Sequence, residues 1–141
     1  MKWLERSVLD IPYLCLCLSE RAFVSACRHI KQHPPKHWMR KNADATCWTF
    51  TNESDPGEPA VCVVCADIVP GRDLSDVVGL MAHEARHVYE GAMRQNTGIQ
   101  WAEEEIEAQF LGVITARLVA DYVRQIGAHD KFSKKRKGGT K

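Results

Sequence analysis

Apolar positions along this chain recur with two different spacings, and each spacing predicts a kind of element. PYLCLCL, residues 12–18, is a short unbroken apolar run and reads as a strand. Ser19 then offers an N-cap, and Ala22, Phe23, Ala26, Cys27 and Ile30 follow at helical spacing, which predicts a helix to about Lys31. The paired prolines of QHPPKHW end that helix and open a loop. TCWTFTN and AVCVVCADIV are β-rich, and the Asp-Pro-Gly of ESDPGEP between them is strong turn chemistry, so the two are expected to form a hairpin. After Pro70 and Gly71 the pattern turns helical from about Leu74 to Gln95. Asn96, Thr97 and Gly98 supply a C-cap and turn, and a second long helix is expected from Trp101 to about Ile126. The order strand, helix, strand, strand, helix, helix, with no internal repeat, places the chain in the α+β class, with a small, mostly antiparallel sheet packed on helices.

Composition narrows this picture. With 141 residues, 45% of them hydrophobic, the chain is long enough to bury one core without staples, and a single domain over residues 1–130 is expected. IPYLCLCL is too short to span a bilayer and lacks the flanks of a secretory signal, so no membrane association and a cytoplasmic location are expected. In that compartment the six cysteines are expected to be buried hydrophobes rather than disulfides. The net charge of +1 conceals an asymmetry: six of the nineteen basic residues and none of the eighteen acidic ones lie from Lys131 onward. Residues 131–141 thus form a basic tail, expected to be disordered; nucleic-acid contact through it is the lesser expectation.

The chemistry is concentrated in MAHEARHVYE, residues 81–90. In H-E-x-x-H on a helix, histidines at i and i+4 project from one face a turn apart, so His83 and His87 can share one Zn²⁺ at ~2.0–2.1 Å. Glu84 then flanks the metal's open position as the general base. A catalytic zinc needs a third ligand, and the histidine of the longer H-E-x-x-H-x-x-G-x-x-H pattern is absent, since position 93 is Met93. The next helix offers WAEEEIEAQF instead. A hairpin turning at residues 96–98 brings a carboxylate near position 105 opposite the histidines. Ala108, Gly112, Thr115 and Ala116 cluster on one side of this helix, a small-residue stripe expected to let the H-E-x-x-H helix approach. Glu105 lies about 35° from the stripe's centre and Glu104 about 65°, whereas Glu103 and Glu107, more than about 120° off, are expected to face away from the metal.

HEARH followed by Glu105-Ile106-Glu107-Ala108 resembles the gluzincin metallopeptidases, in which H-E-x-x-H is completed by a Glu from an E-x-x-[small] motif on the next helix. The resemblance is closest to compact members, the ImmA/IrrE-type peptidases and small phage or prophage proteins with an H-E-A-x-H-V core. It implies a minimal zincin-like fold, one zinc held by His83, His87 and Glu105, and Glu84 as base. It also implies a hydrolase, a metalloprotease acting on a polypeptide substrate or protein partner. Gluzincins often carry Asp or Asn directly after the small residue, where this chain has Gln109. The alternative is a non-catalytic or regulatory zinc-binding protein that recognises a phage or bacterial partner.

Other residues are given structural roles. Arg86 and Glu90 are expected to form a surface i, i+4 pair. Cys62 and Cys65, three apart in a strand, are expected to point to opposite faces rather than form a metal or redox pair. His29, His33 and His37 are expected to be non-ligands. Tyr89, Arg86, Tyr122 and His129 are candidates for stabilising an oxyanion. AVCVVCADIV is expected to be the sheet edge over the zinc, able to receive an extended peptide.

Overall fold

The computed structural model describes residues 3–4, 13–51, 54–55, 60–94 and 104–137, excepting the side chains of residues 4, 92–94, 104–106 and 131–137. Within them lie strands β1 (Trp3–Leu4), β2 (Tyr13–Cys17), β3 (Ala45–Phe50) and β4 (Val61–Ala66), and helices α1 (Glu20–His29), α2 (Leu74–Val88) and α3 (Glu104–Lys137). A π-helical segment, Tyr89–Arg94, continues α2. The α+β class and the element order agree with the hydrophobic pattern. The two-residue β1 is additional, too short to leave a periodic signal.

Local chemistry explains the first helix. Ser19 has extended backbone, and its hydroxyl accepts a hydrogen bond from the Ala22 N–H at 3.2 Å, satisfying one of the donors that a helix start leaves open. At the other end Lys31 turns left-handed, φ 56°, and the Gln32 N–H donates back to the Cys27 carbonyl at 2.9 Å, closing the helix without a glycine.

The strands lie in the order β1-β2-β4-β3. β3 and β4 form the expected antiparallel pair, with Thr46 opposite Cys65 and Thr49 opposite Cys62. β2 and β4, however, run parallel, Leu14 opposite Cys62 and Cys17 opposite Cys65, so the sheet is mixed at its centre. The parallel pairing also corrects the position of β4. It is an inner strand, flanked by β2 and β3, and β3 is the edge. The compositions agree with this placement. Cys62 to Ala66 are all buried, whereas β3 carries two threonines and is only partly buried from Cys47 onward, as an edge accommodates.

Both faces of the sheet are covered. Leu14, Leu16, Cys62 and Val64 pack with Val77, Met81, Ala85 and Val88 of α2 and Ile114, Leu118 and Tyr122 of α3. Cys15, Cys17, Val63 and Cys65 pack on the other face with Phe23, Ala26 and Cys27 of α1. Covering on both sides accounts for the unbroken apolar runs in β2 and β4. Cys62 and Cys65 do fall on opposite faces, and all six cysteines are free, five of them buried. Burial pushes the Cys65 thiol well up, as befits an inert core filler.

α3 departs from expectation twice. Its buried side is the large-residue series Phe110, Ile114, Leu118 and Tyr122, while Ala108, Gly112 and Ala116 are exposed. A Cβ added to Gly112 would touch nothing within 4 Å, so no close helix approach occurs there. Burying four large side chains removes far more apolar area from water than a stripe of alanines, and that difference sets the helix's rotation. The helix also runs past Ile126 to Lys137, into the segment that composition assigns to the basic tail. Its last turn is rich in lysine and arginine, which the negative end of a helix dipole favours. No described helix is long and apolar enough to cross a membrane.

Candidate metal centre

The centre lies where α2 passes beside β3. Val77, Met81, Ala85 and Val88 face the core, which leaves His83 and His87 on the exposed flank with Glu84 turned inward between helix and strand. The imidazoles meet edge to face, centroids 4.9 Å apart, and their Nε2 atoms converge to 3.2 Å. Two nitrogens that ligate one tetrahedral zinc at ~2.0–2.1 Å stand roughly 3.3–3.4 Å apart, so the pair is already at ligand spacing. With a Glu84 oxygen, they form a group whose members all lie within 4.8 Å of one another and which can hold a metal ion.

The electrostatics suit such an ion. Partial desolvation, with help from the charges of His83 and Arg40, lowers the His87 pKa and favours the neutral imidazole that a metal requires. Glu84 is only 2% exposed, and burial pushes its carboxyl above the usual range, against the opposing pull of His83, Arg40 and a backbone hydrogen bond from Cys47. Its Oε2 is buried without a hydrogen-bond partner. A buried carboxylate oxygen in that condition costs about 1–3 kcal/mol or more unless a proton, a water or a cation meets it, and here it sits beside two convergent imidazoles. The residues present therefore fit a metal ion.

A pocket of 170 Å³ opens at this point, lined by His83, Glu84 and His87 from α2, Ala45, Thr46 and Cys47 from β3, and Arg40 and Ala43 from the loop after α1. Edge strand β3 thus forms one wall, the part that had been assigned to AVCVVCADIV.

Among the described residues, the structure does not gather the other candidates here. Arg86 pairs with Glu90, as the i, i+4 spacing predicts, but it also pairs with Glu107. Glu107 thus reaches the flank of the H-E-x-x-H helix that carries Arg86, because the large-residue face that includes Phe110 and Ile114 is the one that packs, and it is not among the residues that line the pocket. Glu105 begins α3 together with Glu104, but its side chain lies outside the described residues, as do Glu103 and the turn at residues 96–98. Gln109 is exposed. Tyr89 is buried against Phe110 beneath the Arg86 guanidinium, Tyr122 is in the core, and His129 sits exposed beside Asp130; none of them lines the pocket. His29 lies against the Trp3 ring, 5.6 Å between centroids.

Arg40 is the residue that sequence reasoning missed. It is a lone arginine in a proline-rich loop, with no motif around it, and only the fold carries that loop back onto α2.

No protein-family model, curated protein or solved structure matches the chain. The function must accordingly be argued from the site.

Proposed function

We propose that the chain is a zinc-dependent peptidase of minimal zincin-like architecture. The observation that carries this reading is the convergence of the His83 and His87 Nε2 atoms, 3.2 Å apart, beside the buried and partnerless oxygen of Glu84. His83 and His87 would hold the ion, with Glu105, from the E-x-x-A spacing onto Ala108, as third ligand. Zinc when bound there supplies Lewis acidity towards water and a carbonyl oxygen.

The chain's own groups divide the remaining work. Glu84 takes a proton from the attacking water and later delivers it to the leaving amine nitrogen, a shuttle suited to a carboxyl whose pKa burial has raised towards neutrality. The Cys47 backbone hydrogen bond fixes that carboxyl against the sheet. Among the described residues β3 has one strand neighbour, β4, so its outer edge is available to pair with an extended polypeptide running past the pocket.

The test has two parts. Metal analysis after zinc reconstitution should find one zinc per chain, severely weakened in His83→Ala, His87→Ala and Glu105→Gln but retained in Glu107→Gln, whose carboxylate serves Arg86. Glu84→Gln should keep the zinc while lowering peptide hydrolysis by at least about 10²-fold. Absence of zinc in the wild type would sink the reading, and loss of zinc in Glu107→Gln alone would move the third ligand to that residue. A wild type that holds zinc yet cleaves none of a diverse peptide library would favour the regulatory zinc-binding alternative.

A further inference from the structure

Peptide hydrolysis at such a centre requires a second positive group for the negative charge that develops on the carbonyl oxygen, and none of the candidates raised by sequence occupies the pocket. Arg40 does occupy it, beside His83, Glu84 and His87. We propose that Arg40 is a catalytic residue whose guanidinium binds the oxyanion formed as the substrate carbonyl is attacked. The inference rests on the peptidase reading and adds to it the oxyanion donor that no motif supplies.

Three observations favour this role. First, the arginine is held in place. Its backbone N–H donates to the Thr46 hydroxyl at 2.9 Å, and its carbonyl accepts from the Ala43 N–H at 3.1 Å across a turn in which Asn42 is left-handed, φ 61°. Beneath the guanidinium, 6.0 Å from its carbon, is the Trp48 ring, itself fixed by a 2.8 Å hydrogen bond from its indole N–H to the Trp38 carbonyl. At the outer limit of cation–π range this contact orients the side chain more than it binds it.

Second, the charge is uncommitted. Among the described residues Arg40 forms no ion pair, whereas Arg72, Arg86 and Arg124 each have a carboxylate partner. Glu84 feels Arg40 through space but does not pair with it.

Third, Arg40 shares the pocket wall with both imidazoles, so a carbonyl oxygen that gains negative charge there only as it is attacked would be bound more strongly in the transition state than in the ground state. A role confined to packing on Trp48 would not require Arg40 to line the pocket as well.

The experiment uses the full chain loaded with zinc, with methylphosphonate as a tetrahedral anion and imidazole as a neutral ligand for the metal. Arg40→Met keeps the stem over Trp48 and removes the charge; Arg40→Lys keeps the charge and loses the fork. Titration calorimetry should show methylphosphonate affinity falling roughly 10- to 100-fold in Arg40→Met and less in Arg40→Lys, because a charge-assisted hydrogen bond is lost. Affinities for zinc and imidazole, and the thermal midpoint, should stay within about two-fold and two degrees of wild type. Against a cleaved peptide, the loss should fall on kcat with KM unmoved. Equal methylphosphonate affinity in wild type and Arg40→Met would overturn the assignment, as would a zinc-loaded wild type that binds none. A loss confined to KM would also overturn it, by making Arg40 a ground-state substrate anchor. Failure to hold zinc at all is read separately by metal analysis and would overturn the peptidase reading itself.

Discussion

Glu84 shows how a single buried residue can be set against the stability of the fold. A carboxyl buried with one unpartnered oxygen is a liability to the metal-free fold, and burial holds its pKa above the ordinary glutamate range. The folded state therefore keeps a proton that the unfolded chain has already released. The stability this contributes is fully present below the unfolded pKa and is lost as pH rises through the raised folded one. Glu84→Gln carries no such loss. In metal-free protein the thermal midpoint of the variant, relative to wild type, should climb as pH rises from about 4 towards neutrality. A difference that stays constant over that range would show that the carboxyl is not held protonated. The H-E-x-x-H group and its capacity to hold a metal ion were legible at this scale because they depend on i, i+4 geometry within one helix. The place of Arg40 in the pocket lining was not legible, because it depends on a loop whose path is set by the Thr46 and Trp48 contacts.

At the scale of elements, two glycines on neighbouring helical segments have opposite meanings. Gly91, in the π-helical segment, lies so close to edge strand β3 that an added Cβ would meet the Thr49 Oγ1 at 2.6 Å. Gly112, in the third turn of α3 on its exposed side, has open space around it. Gly91→Ala should cost about 1–3 kcal/mol, because strand or helix must move. Gly112→Ala should gain about 0.5–1 kcal/mol by restricting the unfolded chain and restoring helix propensity. Urea unfolding of the two variants checks both signs, and a neutral or stabilising Gly91→Ala would show that the segment does not press on β3. The amphipathic spacing of α1 and α2 and the β3–β4 turn chemistry revealed these elements in advance. The rotation of α3 was misjudged because small residues at helical spacing can mark either a close approach or a solvent face, and only the partner's shape distinguishes them. Here Phe110, Ile114 and Leu118 had apolar surface of the sheet and α2 to fill, and Ala108 and Ala116 were left outside.

For the whole molecule, sheet topology brings the site together. Because β4 lies between β2 and β3, and β3 begins at the end of the sheet where β2 stops, α1 and the following loop lead out and back to that end, and the loop brings Arg40 to the start of β3 beside α2. α3, in contrast, outlasts the core it serves. The Gln125 amide still binds the Leu16 carbonyl at 2.9 Å and Asp121 at 2.8 Å, but Gly127, Ala128, His129 and Asp130 are all exposed. Deleting residues 131–141 should therefore leave the fold and zinc content intact and move the thermal midpoint by no more than about two degrees. A larger fall would mean that the basic end of α3 is docked.

The chain by itself determined the α+β class, the capped first helix, the β3–β4 hairpin, the buried cysteines and the His83-Glu84-His87 constellation. Each follows from interactions between residues close in sequence, or from a periodicity that one element imposes on its own burial. Tertiary structure alone decided that β4 is an inner strand and β3 the edge, that α3 turns its large residues inward and Glu107 towards Arg86, and that Arg40 closes the pocket. Those outcomes depend on competition among distant surfaces for the same neighbours. The winner is set by how much apolar area each arrangement buries, a quantity that no local pattern contains.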